Sequence, residues 1–237
     1  MVLIGTLVNG ACIIAGSTMG LFLTKIPERF KETVMQGIGL TIILIGLQMA
    51  LSTDALIIVL LSLLSGAIIG ELVRLETLLN RLGGWIGSKF TTAKGSDVSV
   101  AQGFVTASLV FVIGAMAIIG ALDSGLRNDH SVLITKGILD GFTALVLTST
   151  LGFGVLFSVV PVVLFEGIIA LLATQINRFI PQAFLDGLIV ELTAVGGLLI
   201  VAIGLNMLKL TKIRIGNLLP AIVTVIIIFY IHHVLVG

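Results

Sequence analysis

Residues 180–207 read IPQAFLDGLIVELTAVGGLLIVAIGLNM, and residues 26–49 read IPERFKETVMQGIGLTIILIGLQM. Both open on Ile-Pro-x-x-Phe and close on Ile-Gly-Leu-amide-Met, with Asn206 in one copy and Gln48 in the other. The copy ending at Met207 is four residues longer, close to one helical turn. Pro27 and Pro181 suit the first turn of a helix, where a missing N–H costs little. The longer stretch is apolar enough to cross a membrane, yet it carries Asp186 and Glu191. The chain therefore repeats a membrane-crossing pattern and places carboxylates inside one copy.

Composition agrees with a membrane setting. Apolar residues make up 57% of the chain and charged residues 11%, with a mean hydropathy of +1.24. A soluble domain has about 45–50% apolar and about 25% charged residues. The surplus implies an all-α, polytopic bundle of transmembrane helices whose main partner is the lipid bilayer. A net charge of +1 gives no basis for nucleic-acid binding. The single cysteine, Cys12, excludes a disulfide framework and a thiolate metal cluster. The first residues, MVLIGTLVNG, lack a basic leader and read as a retained first span.

A span needs about 20 mostly apolar residues. That criterion gives about eight: 2–24, 33–52, 55–72, 98–122, 132–152, 155–175, 184–208 and 215–236. Only Gly152, Phe153 and Gly154 punctuate the fifth from the sixth. Basic residues set the orientation. Lys25, Arg29 and Lys31, then Arg74, Arg81, Lys89 and Lys94, then Lys209, Lys212 and Arg214 fall in one set of loops. The other set has Arg127 and Arg178, with Lys136 just inside span five. Cytoplasmic loops collect Lys and Arg, which puts both termini outside. Within the longest cytoplasmic loop, 72–97, Leu72, Leu75, Leu78, Leu79 and Leu82 recur at helical spacing, with Trp85 beyond them. This pattern predicts an amphipathic helix on the interface. No linker divides the chain, so residues 1–237 read as one integral membrane domain.

The orientation gives the repeat a direction. Span two runs inside to outside and span seven outside to inside, so spans 1–3 and 6–8 read as an inverted repeat. Secondary transporters recur in this build, with substrate near the midplane between the copies.

The run GTLVNGACIIAGSTMGLFLTKIPERFKETVMQGIGLTIILIG contains Gly5-Thr6, Asn9, Gly16-Ser17, Gly20, Ile26-Pro27-Glu28-Arg29 and Gly37. GAMAIIGALDSGL and KGILDGF follow further along. Together these resemble an uncharacterised bacterial inner-membrane family, domain of unknown function 554, the YqgA/YdfK-like proteins. The resemblance implies a multi-pass protein of the bacterial cytoplasmic membrane. It supplies no substrate and no catalytic residues.

Charged groups deep in a span cost about 2.5–3.5 kcal/mol on insertion scales and normally face the bundle interior or water. Lys136, Asp140, Glu166, Asp186 and Glu191 lie beyond easy reach of an interface, Asp123 sits at the outer end of span four, and Asn9 is a neutral amide within span one. Depth puts Asn9, Asp140, Glu166 and Glu191 in one layer from the outer third to the centre. If their spans are neighbours, they line a single acidic cavity. Lys136 and Asp140, four apart, stack on one helical face as a self-neutralising pair or as a coupled pair released by substrate. Glu166 has no sequence neighbour to pair with and reads as a proton- or cation-linked site. Asp186 reads as an interfacial residue. Gly114, Gly120 and Gly125 read as packing positions, or as a break in the helix. Thr148, Ser149 and Thr150 line an inner route or bond back to their own helix.

No phosphate-binding loop, zinc-protease motif or selectivity-filter motif is present, and His130, His232 and His233 make a poor metal set. No cofactor and no enzymatic activity are expected. The favoured reading is a gradient-driven secondary transporter of a small solute or ion, as a monomer or a homo-oligomer. A passive channel and a non-transporting membrane scaffold or sensor are the alternatives.

Overall fold

A computed structural model describes residues 1–22, 28–81 and 97–236, and every long regular element among them is helical. In chain order these are α1 (Ile4–Phe22), α2 (Glu28–Ala50), α3 (Leu56–Val73), α4 (Asp97–Val112), α5 (Ala115–Arg127), α6 (Ser131–Leu151), α7 (Val159–Phe179), α8 (Gln182–Met207), α9 (Ile215–Leu218) and α10 (Ala221–Val236). A 3-10 segment, Gly152–Ser158, joins α6 to α7. Residues 75–81 are helical, while the rest of the predicted amphipathic helix, with Trp85, and the Ile26-Pro27 opening of the first copy lie outside the described residues.

Five helical stretches are long and apolar enough to cross a membrane, or six if α4 and α5 form one broken span. Their burial pattern inverts that of a soluble protein. On α3 the large apolar Ile57, Leu60, Leu64 and Ile68 face outward, whereas Ser62, Gly66 and Gly70 face inward. On α1 the inward face is Gly5, Thr6, Asn9, Gly10, Ile13, Gly16, Ser17 and Gly20. Lipid is as apolar as leucine, so large side chains gain little by turning inward. Small residues instead let backbones meet.

The chain divides into two compact units, each made of two separate stretches. One comprises Met1–Val34 and Asn80–Ile180, the other Met35–Leu79 and Pro181–Gly237.

In the first unit α1 packs along α6. Gly16 lies against the Gly141 carbonyl, Gly141 against Cys12, and Gly137 against the Asn9 backbone. Contacts rise together in number along both helices, so α1 and α6 run parallel. The stretch Ser131–Phe179, 49 residues, contains both α6 and α7. As one straight helix it would extend about 70 Å, more than twice a hydrocarbon core of about 30 Å. It reverses instead at Gly152, whose φ of 77° suits a residue without Cβ, and through the 3-10 turn. Lys136 and Glu166 would sit about 45 Å apart on a straight helix; their charged atoms are 3.4 Å apart. GFG is thus a true reversal. A second break falls at Gly114, with φ 150° and ψ 149°, where α4 and α5 bend by 58°. Of the two roles expected for the span-four glycines, Gly114 takes the helix break. Gly125 takes close packing, lying against Ala170 and Ala173 of α7.

In the second unit α2 packs antiparallel on α8, and α3 antiparallel on α10. A Cβ at Gly39 would meet Leu208 and the Gly204 carbonyl, and one at Gly197 would meet Ala50 and the Gly46 carbonyl. Gly46 similarly meets Val201, and Gly204 meets Ile43. Gly66 lies against Ala221 and Gly70 against the Asn217 backbone.

Candidate functional site

The inward faces of α1, α6 and α7 bring four of the expected residues together: Asn9, Lys136, Asp140 and Glu166. All are buried, and Asn9 and Glu166 have no exposure at all. The glycines on either side make this possible. With Gly10 against α7 and Gly137 against the Asn9 backbone, the helices approach closely enough for short polar side chains to meet.

Lys136 bonds Asp140 one turn along α6 and reaches Glu166 Oε1 of α7 at 3.4 Å. Asn9 Nδ2 donates to the same Glu166 oxygen at 2.7 Å. Lys136 is therefore shared between two carboxylates, and Glu166, solitary in sequence, has two partners from other helices. With every group ionised the cluster carries one negative charge in excess. Two oxygens, Asn9 Oδ1 and Glu166 Oε2, are buried without a hydrogen-bond partner. A buried acceptor left unpaired costs about 1–3 kcal/mol.

Unpartnered hydroxyls extend the polar surface. Thr6 and Ser17 flank Asn9 on the buried face of α1, and Thr148 lies on α6 against Gly20; the hydroxyl of each is buried and without a bond. Of the expected inner-route residues, Ser149 and Thr150 bond back to Val146.

The remaining candidates lie elsewhere. Asp123 is not in the cluster; it pairs with Arg127 at 3.1 Å near the end of α5, as four-residue spacing allows. Asp186 is exposed and accepts from Gln182 at 3.0 Å. Glu191 belongs to the second unit, where Thr53 donates to its Oε1 at 2.7 Å while Oε2 is buried and unpartnered. Thr53 also accepts from the Ala55 backbone N–H. Nothing in the sequence singled out Thr53.

A second polar group in that unit escaped the sequence reading altogether. Asn217 Oδ1 accepts from the Glu76 N–H at 2.8 Å, and its Nδ2 donates to Glu71 at 2.6 Å. Glu76 accepts from the Gly216 N–H, and Arg214 from its loop bonds Glu71 at 2.8 Å. Every contact is satisfied, so this is a clasp between the α3 end and the α9 turn. Among the described residues no group of three His, Cys, Asp or Glu side chains could hold a metal ion.

Known proteins place the chain in a family and leave its chemistry open. It is 34% identical over 234 residues to a protein of Bacillus subtilis (strain 168) named Uncharacterized membrane protein YdfK, covering 96% of each chain. It is 29% identical over 222 residues to Uncharacterized protein YqgA of Escherichia coli (strain K12), covering 92% of this chain and 93% of that one. No solved structure matches. Residues 4–230 match the family described as Protein of unknown function (DUF554), and the chain belongs to that family.

Proposed function

We propose that this protein is a non-enzymatic, gradient-driven secondary transporter of a small solute or ion in the bacterial cytoplasmic membrane. In this reading it has eight spans, both termini outside, and spans 1–3 and 6–8 as inverted copies. The observation that carries the reading is the buried Asn9–Lys136–Asp140–Glu166 cluster, with its excess negative charge and two unpartnered oxygens. A purely structural ion pair needs neither. Such intramembrane groups mark ion and substrate pathways. Glu166 exchanges a proton or cation as the site changes sides, and Asp140 and Lys136 respond through their shared bond.

Matching glycines support the inverted copies. A shift of 158 carries Gly39 onto Gly197 and Gly46 onto Gly204. These four glycines make the close approaches between α2 and α8, Gly39 against Gly204 and Gly46 against Gly197. The break at Gly114 adds the discontinuous helix such carriers use at their sites.

Flux into vesicles containing the purified protein tests the reading, with candidate solutes driven by an imposed proton or sodium gradient. Saturable, gradient-dependent uptake and counterflow are expected, and E166Q should abolish coupling while leaving the protein inserted. Non-saturating conductance would make it a channel. Uptake unaffected by E166Q would remove the assigned site.

A further inference from the structure

The two unpartnered oxygens of the cluster belong to groups already bonded to each other. Asn9 Nδ2 donates to Glu166 Oε1. The other half of that amide, Oδ1, and the other half of that carboxyl, Oε2, are the atoms left over. Both are acceptors when Glu166 is ionised, so neither can satisfy the other. A single hydrogen on Oε2 changes this. The acid O–H then donates to the amide oxygen while the amide N–H donates to the acid carbonyl, closing a ring of two hydrogen bonds.

We propose that Glu166 holds a proton and shares it with Asn9 in a cyclic carboxylic acid–carboxamide pair, and that this proton is the coupling ion. The second half rests on the transport reading above; the first does not. In balanced form, the Glu166 carboxylate takes one proton from a hydronium ion: an O–H bond forms at Oε2, one O–H bond of the hydronium breaks, and a water molecule is left. Release reverses the step.

Three features favour a proton over a metal cation. Charge balance is met by one proton, which leaves Lys136 and Asp140 as a neutral pair. The Lys136 ammonium lies 3.4 Å from Oε1, where it repels a metal ion bound to the same carboxyl. Two oxygens suffice for a hydrogen bond and fall well short of the six or more that a hard cation such as Ca²⁺ collects. The partners come from different helices, α1 and α7, 157 residues apart along the chain.

Infrared spectroscopy of the full-length protein in lipid, in H2O and D2O, decides the point. Wild type should show the carbonyl band of a protonated carboxyl, shifted down in D2O and lost in E166Q. Removing the amide by N9A, or by N9S should N9A not fold, should move that band upward. An ionised Glu166, alone or holding sodium, gives no such band, and its absence overturns the proposal. A band that ignores both Asn9 variants overturns the pairing. Because vesicle flux is measured separately, the protonated band without transport would sink the carrier reading alone.

Discussion

Lys136 Nζ lies within reach of two carboxylates, Asp140 on its own helix and Glu166 at 3.4 Å on the next. One cation thus serves two carboxylates in the interior of the first unit. Taking it away leaves two acidic groups facing each other in an apolar setting. K136M should lower thermal stability in detergent by about 3–5 kcal/mol, the cost of breaking a buried pair from one side. K136M/D140L, which removes the charge from both ends of the pair, should recover a large part of that loss. Equal stability of the single and double variants would show that the pair is not coupled.

Backbone contact makes a sharper forecast for the glycines. A methyl group at Gly16 would run into the Gly141 carbonyl, and the main chain cannot step aside cheaply. G16A should cost about 1–3 kcal/mol or more and reduce the yield of folded protein. Gly37 has nothing within 4 Å of an added Cβ. G37A should be neutral or gain about 0.5–1 kcal/mol from helix propensity. At Gly114 space is also free but φ is 150°, so G114A should lose about 1–3 kcal/mol through backbone strain. Thermal melts of the three variants, compared side by side, check the ranking.

The clasp in the second unit separates a buried bond from an exposed one. N217A deprives Glu71 and the Glu76 N–H of their shared partner and should cost about 1–3 kcal/mol. R214A removes an ion pair whose two side chains are both more than half exposed, and should cost about 0–1 kcal/mol, less at high salt. A larger loss from R214A than from N217A would reverse this assignment.

Acid sensitivity has an identifiable contributor in the loop before α6. The Ser131 backbone N–H, 3.0 Å from Asp129, holds that carboxyl below its ordinary 3.8. A group lowered on folding stabilises above its unfolded value and stops doing so as pH falls through its folded one. Melting temperature should therefore decline on acidification below the ordinary carboxylate range, and D129N should flatten the decline. An unchanged slope in D129N would assign the acid response to other carboxylates.

What the sequence revealed depended on whether the physics was local. Apolar runs are local, and they are helical in the structure, with five stretches, or six if α4 and α5 are one, long and apolar enough to cross a membrane. GFG, thin as punctuation, proved a reversal because 49 residues cannot lie along one crossing. Charge in an apolar run is also a local signal, and it singled out Lys136, Asp140 and Glu166. Which of these meet is not local. The partners of Glu166 come from α1 and α6, while Asp123, equally acidic, turned to Arg127 four residues away. The Thr53 bond and the Asn217 clasp were invisible for a different reason. Threonine and asparagine near helix ends are ordinary, and only the fold brings Glu191, Glu71 and Glu76 to them.

The separation between Asn9 and Glu166 also bears on how the protein is made. Chains emerge from the ribosome at about 5–20 residues per second. The helix bearing Asn9 is thus complete about 10–30 s before the glutamate it binds has been synthesised. During that interval its amide must stay hydrated at the translocon or borrow a temporary acceptor. Delayed release of the first helix into lipid, shortened by N9L, is the biosynthetic signature of a bond spanning 157 residues.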